Sequence, residues 1–248
     1  MDDGFSYEDN WASAYQKYTE MRGRIVEAHE AARFLERHCR GGTALELGIG
    51  SGRVAIPLSE QRVRVEGIDN SDSMLKLLAS RTNTIKAWKG DIGNFTCADR
   101  YDTIYCVYNT FLLLFTREAQ VACLRSAASA LSQEGTLVME FDVPSLNGFI
   151  DGQKTTTLLV DHENTVIKTD VHDPLRQNLV SAILWFSESS VRRLPQPIRY
   201  VYHEELDTMA ECAGLELAER WGDWTGGAFT QASTRHISVY RRAANACT

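Results

Sequence analysis

A chain of 248 residues, 44% hydrophobic and 24% charged, carries enough apolar material to bury a core and has the ordinary composition of a globular protein. Its net charge of −7 argues against a broad nucleic-acid footprint, which needs a strongly basic face. No apolar run approaches a membrane span, and the opening Met1-Asp2-Asp3-Gly4 lacks the basic and apolar regions of a secretory signal, so a soluble cytoplasmic protein is expected.

In chain order, a helical region is predicted over about residues 6 to 40. Within it Tyr7, Trp11, Tyr15 and Tyr18 recur at helical intervals and share a face, which either packs on the core or folds over a ligand. Arg22 and Arg24 follow. The run Ala44-Leu45-Glu46-Leu47-Gly48-Ile49-Gly50-Ser51-Gly52-Arg53-Val54 then ends an apolar strand in an acid and three alternate glycines. Glycine lets main chain approach a ligand directly. The sixth position counted from Gly48 is Arg53, not the glycine of a dinucleotide fingerprint, and no Gly-Lys-Ser or Gly-Lys-Thr follows to make a P-loop. With Glu46 beside the loop, a cationic, nucleoside-bearing ligand suits it better than a phosphate.

The next strand, Val63 to Asn70, ends in Asp69, placed twenty-one positions past Gly48, where a carboxylate can accept both hydroxyls of a ribose. Ser71 and Asp72 offer capping chemistry for a helix bearing Met74, Leu75, Leu77 and Leu78. The stretch Thr84 to Ile92 again ends in an acid, Asp91, with Ile92 after it, a pair able to meet the amino group and the ring of adenine. A fourth strand, Arg100 to Val107, leads to Tyr108-Asn109-Thr110-Phe111. Thr116 caps a helix over Glu118 to Leu131, and a fifth strand reaches Glu140. This alternation predicts a parallel sheet with helices on both faces and a ligand outside the carboxyl ends of its strands.

Beyond Pro144 the texture changes. Residues 155–160, 164–172, 177–188 and 196–202 are rich in Thr, Val, Ile, Leu, Trp and Tyr, with turn formers between them, and predict antiparallel strands inserted into the main fold. A helix over His203 to Cys212 ends at Gly214, and strands follow at 215–221 and 235–241. The six cysteines, Cys39, Cys97, Cys106, Cys123, Cys212 and Cys247, show no paired spacing and are expected to be reduced. The six histidines share no ligand-like cluster with cysteines or acids, so no metal is expected.

Glu46 to Gly52, Gly67-Ile68-Asp69-Asn70-Ser71 and Gly90-Asp91-Ile92 resemble the successive motifs of class I S-adenosylmethionine-dependent methyltransferases, with Tyr101 to Val107 and Leu131 to Glu140 similar to that family's fourth and fifth strands. Within the family the chain looks most like enzymes that methylate amino sugars, amino acids and natural products. The resemblance implies a Rossmann-like α/β fold: a seven-stranded, mostly parallel sheet with an antiparallel β cap inserted after the fifth strand. Residues 1–248 form one domain, with a helical lid at 1–40, a cofactor-binding core at 41–143, the cap at 144–203, and a last helix and two strands at 204–242. It also implies that Glu46 lies near the methionine ammonium, that Gly48, Gly50 and Gly52 pass under the cofactor, and that Asp69 holds the ribose. Asp91 and Ile92 frame adenine and Val107 lines the methionine portion; Asn70 and Met74 complete the cofactor-binding candidates. Arg53 pairs with the methionine carboxylate or with Glu46.

The acceptor site is expected from three segments: the N-terminal aromatics, the 108–111 turn, and a cap that contributes His172, Trp185, Tyr200, Tyr202 and His203. Tyr15, Tyr18, Asn109 and His203 are the catalytic candidates. The aromatic content favours a flat or apolar small-molecule acceptor, with no nucleic acid or membrane as partner and a homodimer left open. Transfer to nitrogen is preferred over carbon or oxygen of an indole or phenol. A protein that binds the cofactor without turnover, and a nicotinamide-dependent oxidoreductase, are the alternatives from other classes; the second is disfavoured by Arg53 and Asp91.

Overall fold

The computed structural model describes residues 9–21, 24–39 and 42–244, with side chains described from residue 14 onward except at 16, 24 and 25. Tyr7, Arg22 and Cys247 lie outside the described residues, as do the side chains of Trp11 and Arg24. Two helices, α1 (Asp9–Met21) and α2 (Arg24–Cys39), precede β1 (Thr43–Leu47). Helix α3 (Ala55–Ser59), β2 (Arg64–Asp69), α4 (Asp72–Arg81), β3 (Lys86–Lys89), β4 (Tyr101–Cys106), α5 (Arg117–Ala130) and β5 (Leu131–Asp142) follow. The chain then makes β6 (Gln153–Val160), β7 (Asn164–Asp173), β8 (Asn178–Ser187), β9 (Ser190–Pro195) and β10 (Ile198–Arg199). It returns through α6 (His203–Glu211) to β11 (Leu215–Trp221) and β12 (Arg235–Arg242).

The larger sheet has the order β11-β12-β5-β4-β1-β2-β3. Strands β1 to β5 are parallel, and β12 runs antiparallel between β5 and β11. Successive side chains of a strand point to opposite faces, and the central strands are covered on both. Leu45, Ile104, Leu137 and Met139 pack with Leu124 and Ala127 of α5 and Leu206 and Met209 of α6. On the other face Ala44, Val65, Tyr105 and Val239 pack with Phe34 and Leu35 of α2 and Leu58 of α3. The chain moves outward from β1 through β2 to β3, then crosses back to β4 on the other side of β1. That reversal opens a crevice beyond the carboxyl ends of β1 and β4.

The second sheet, β10-β8-β7-β6 with β9 on the far side of β8, is antiparallel throughout. Its inner face packs Val166, Ile183, Trp185 and Leu194 against Ala14, Tyr15, Tyr18 and Met21 of α1, so the N-terminal helix lies along the cap. Both expected caps form: Ser71 Oγ accepts from the Met74 amide at 3.3 Å, and Thr116 Oγ1 from the Ala119 amide at 3.1 Å. The five described cysteines are free thiols, and burial pushes the Cys39 thiol up to about 11.

Three expectations need correction. The third strand spans only Lys86–Lys89, and no helix separates it from β4. Asp91 there accepts from the Gly93 amide at 2.8 Å, a side-chain-closed turn that competes with helix. Residues 190–195, to which the sequence assigns no element, form a strand. Strand β9 carries Arg192 and Arg193 and is exposed at four of its first five positions, the charged pattern of a sheet edge.

The glycine loop after β1 is docked on β2. The Gly48 and Ile49 amides both donate to the Ile68 carbonyl, at 2.8 and 3.1 Å. Ile49 seats where a side chain at Gly67 would stand: a Cβ there would meet Ile49 Cδ1 at 2.3 Å and Cβ at 2.6 Å. Gly67→Ala should therefore destabilise the protein by about 1–3 kcal/mol, the usual cost of overpacking. Urea unfolding of Gly67→Ala, Ile49→Ala and the double variant checks this. The double variant should recover part of the loss, and simple additivity would reject the contact as the cause.

Candidate active site

A cleft of about 770 Å³ opens at the carboxyl ends of the parallel strands and continues under the cap. Glu46, Asp69 and Asp91, which end or follow β1, β2 and β3, all line it. Gly48, Gly50, Asn70, Met74, Ile92 and Val107 line it as well. Gly48 has φ +76°, and a Cβ on it would stand 2.2 Å from Thr110 Cγ2, so both backbone angle and space require glycine. Gly52 is absent from this wall: its position packs on Leu78 and Ile56, and it borders a separate depression behind the loop.

Asp69 is buried and fastened on both oxygens. Its Oδ2 accepts from the Gly50 amide at 2.7 Å and its Oδ1 from the Ser71 amide at 2.9 Å. Burial raises its pKa, and these backbone donors work against that rise. The Asn70 amide adds a third backbone donor, and a carboxylate with about four acceptor positions still has room for a ligand hydroxyl. Glu46 stands opposite Tyr105 in the β1–β4 register, and the Tyr105 hydroxyl donates to its Oε2 at 3.0 Å. Burial pushes the Glu46 carboxyl up to about 8, against the opposing pull of Tyr105 and Arg53.

Arg53 forms the side of the cleft. Its guanidinium lies 3.5 Å from the Tyr108 ring centroid, and its Nη2 donates to the Tyr15 hydroxyl at 3.3 Å, which ties α1 to the glycine loop. Burial works against its charge, and Tyr15, Tyr108 and Glu46 outweigh that, leaving its pKa above the ordinary value.

The turn after β4 holds two successive non-glycine residues in left-handed conformation, Tyr108 at φ +57° and Asn109 at φ +67°. Such residues cost about 1–3 kcal/mol each and persist where the surroundings over-determine them. Here the Tyr108 amide donates to Glu140 Oε2 at 2.5 Å. Asn109 and Asp142 clasp each other: Asn109 Nδ2 donates to Asp142 Oδ2 at 2.9 Å and the Asp142 amide donates to Asn109 Oδ1 at 2.8 Å.

Of the four catalytic candidates, Tyr15, Tyr18 and Asn109 line the cleft and His203 does not. His203 begins α6, with Nε2 at 3.1 Å from Glu204 Oε1 and its ring against Phe229. Among the cap aromatics only Tyr200 lines the cleft; His172 reaches it by a 3.1 Å bond from Nε2 to the Tyr200 hydroxyl. Trp185 is buried and donates to Asn164 Oδ1 at 2.9 Å. Five polar lining residues escape the sequence reading: Thr19, Asp142, Ser145, Lys168 and Gln196. Asp142 ends β5, and the strand-end acid pattern that picks out Glu46, Asp69 and Asp91 would have found it.

A family model described as a methyltransferase domain matches residues 44–135. The chain is also similar, along its whole length, to the CcbJ methyltransferase from Streptomyces caelestis: 32% identity, 98% of this chain and 100% of that chain covered, and a TM-score of 0.91. The chain belongs to the class I S-adenosylmethionine-dependent methyltransferases. Two further relatives of this methyltransferase are more distant. A cypemycin N-terminal methyltransferase from a Streptomyces species is 26% identical over 205 residues, covering 82% of this chain and 84% of the relative. A dTDP-4-amino-2,3,4,6-tetradeoxy-D-glucose N,N-dimethyltransferase from Saccharopolyspora spinosa is 25% identical over 152 residues, 59% of this chain and 61% of the relative. The methyltransferase uses S-adenosylmethionine as its methyl donor.

The raised Glu46 pKa has a definite sign in the ligand-free enzyme. The folded state holds this proton more tightly than the unfolded state, so the group's contribution to stability is full below about 4.5 and is lost as pH rises towards about 8. Glu46→Gln should therefore gain stability relative to the wild type between those values. Thermal melts of both proteins across the range test it; a pH-independent difference would show that Glu46 keeps an ordinary pKa.

Proposed function

We propose that the enzyme methylates the amine nitrogen of a small natural-product acceptor. The observation that carries this reading is the convergence of Glu46, Asp69 and Asp91 on one cleft whose other end is closed by α1 and the cap. The donor and acceptor sets of the cleft fit the cofactor. Glu46 is a buried acid awaiting a positive charge, which suits the methionine ammonium. Asp69 presents a fixed carboxylate to the ribose hydroxyls, with Asn70 and Met74 beside it. Asp91 and Ile92 take the adenine, and Gly48, Gly50 and Val107 leave main chain and a small apolar surface along the methionine arm. Arg53 serves the methionine carboxylate while its stack on Tyr108 holds it in place.

When bound, the cofactor supplies a methyl group on a positively charged sulfur, an electrophile that needs no activation by the protein. What the chain contributes is position and dryness. Tyr15 and Tyr18 descend from α1 over the cleft, and the clasped 108–109 turn forms its floor near Val107. Holding two reactants in attacking geometry contributes several kcal/mol, up to about 7–11 in ideal systems. Aromatic faces beside a sulfonium add about 0.5–2 kcal/mol. Once its proton is lost, an amine attacks without a strong general base acting at that moment. Both curated relatives named above carry amine methylation in their names, one of a peptide N-terminus and one of an amino sugar.

Calorimetry with S-adenosylhomocysteine tests the cofactor assignment. Asp69→Asn should weaken binding about 10–100-fold, the loss expected for charge-assisted hydrogen bonds. Titrations near pH 7 in buffers of different ionisation enthalpy should detect proton release from Glu46 as the ammonium enters, and Glu46→Gln should abolish it. Undiminished binding by Asp69→Asn would reject the ribose role. Labelled methyl transfer to primary and secondary amines, with none to matched phenols and indoles, supports the nitrogen assignment, and the reverse pattern rejects it.

A further inference from the structure

Two opposite charges from different sheets line the cleft that the proposed cofactor residues share. Asp142 closes β5 on the floor, and Lys168 of β7 faces the cleft from the cap. Neither is a loose surface charge. Asp142 is clasped by Asn109 through two hydrogen bonds, of 2.9 and 2.8 Å, and that turn is itself held in left-handed conformation. Lys168 is about one-quarter exposed, and its Nζ lies 2.8 Å from Oδ1 of Asp170. Asp170 is buried and also accepts from the Ser181 hydroxyl. One donor of the ammonium is thus spent on orienting it, and donors remain for a ligand. Gln196 and the Tyr200 hydroxyl add polar groups on the cap side, and Leu146, Leu179 and Ile198 supply apolar surface between.

Resting on the amine-methylation reading, we infer that the acceptor is aminoacyl in character. Its amine, protonated on arrival, docks against Asp142 and passes its proton to that carboxylate before the nitrogen lone pair attacks the methyl, and the carbonyl or carboxylate oxygen next to that amine is received by Lys168. A simple amine leaves Lys168 unused, and a phenol or indole leaves Asp142 facing a neutral group. Charge-assisted bonds at both ends are the strong kind, and a molecule lacking either partner forfeits one of them. The two residues are specificity determinants, placed on different sheets, and each selects a different half of the acceptor.

Three probes with the same ring separate the two contacts: phenylalaninamide, with both groups; phenethylamine, with the amine alone; and N-acetylphenylalaninamide, with no free amine. Their binding is measured by calorimetry on the enzyme saturated with S-adenosylhomocysteine, at about pH 6.5, below the α-amino range. Phenylalaninamide should bind at least about tenfold tighter than either of the others. Lys168→Met should erase its advantage over phenethylamine, and Lys168→Arg should restore most of it. Asp142→Asn should erase its advantage over the acetylated probe while leaving affinity for S-adenosylhomocysteine unchanged. Equal binding of the three probes, binding of none of them, or equal losses for all in both variants would overturn the inference. Failure of the wild type to bind S-adenosylhomocysteine would instead strike the cofactor reading. If Asp142→Asn loses S-adenosylhomocysteine affinity, the residue serves the cofactor or the turn, and its acceptor role is rejected.

Discussion

Two strand ends share one carboxylate. Asp69 takes the Gly50 amide on one oxygen and the Ser71 amide on the other, and so binds the loop leaving β1 to the cap of the helix leaving β2. A buried acid without such partners would be costly, and loop amides without an acceptor equally so. Each solves the other's problem. The consequence is a loop whose shape is set before any ligand arrives, docked further by the Ile68 carbonyl and by Ile49 over Gly67. A preformed main-chain cradle spares the ordering that a mobile loop would impose on binding.

Glu46 shows the opposite economy. It receives the Tyr105 hydroxyl, a backbone hydrogen bond from Ala55 and the field of Arg53, and these fall short of what burial takes away. An acid held in this state gains most from a ligand that brings a positive charge, so its incomplete satisfaction is a preference expressed in the protein itself. Arg53 is then placed between two demands, near Glu46 on one side and stacked on Tyr108 on the other. Its bond to Tyr15 carries the state of the loop into α1.

The convergence of Glu46, Asp69 and Asp91 on one cleft is legible in the sequence because each stands at or just beyond the end of a strand, and strand ends can be read from apolar runs. Asp142 obeys the same rule and was passed over only because the fifth strand was read to stop at Glu140. Lys168 follows no local rule: its place in the cleft comes from the pairing of β7 with β8 and from where the whole cap lies, which periodicity does not encode. Tyr108 and Asn109 adopt a backbone that sequence reasoning reserves for glycine, made tenable by acids thirty-two and thirty-three residues away. His203 fails as a site residue for a simple reason. It begins a helix, and its side chain turns to Phe229 and Glu204 rather than inward.

The division of labour between the two sheets follows from these attachments. Strands β1, β2 and β4 supply an end whose loops are bonded to one another. The cap meets it through α1, which packs on Trp185 and Ile183 on one side and reaches Arg53 on the other. Side chains on the inner face of β7 and β8 therefore act on the glycine loop through α1, which packs on them and carries the Tyr15 hydroxyl that Arg53 bonds. The Lys168, Asp170 and Ser181 group is local to the cap, and its energetics close there. Asp142 is different: it ends a strand of the parallel sheet and is fixed by the turn that follows Val107. The parallel sheet and the cap thus each give one charged residue to the same cleft, Asp142 and Lys168.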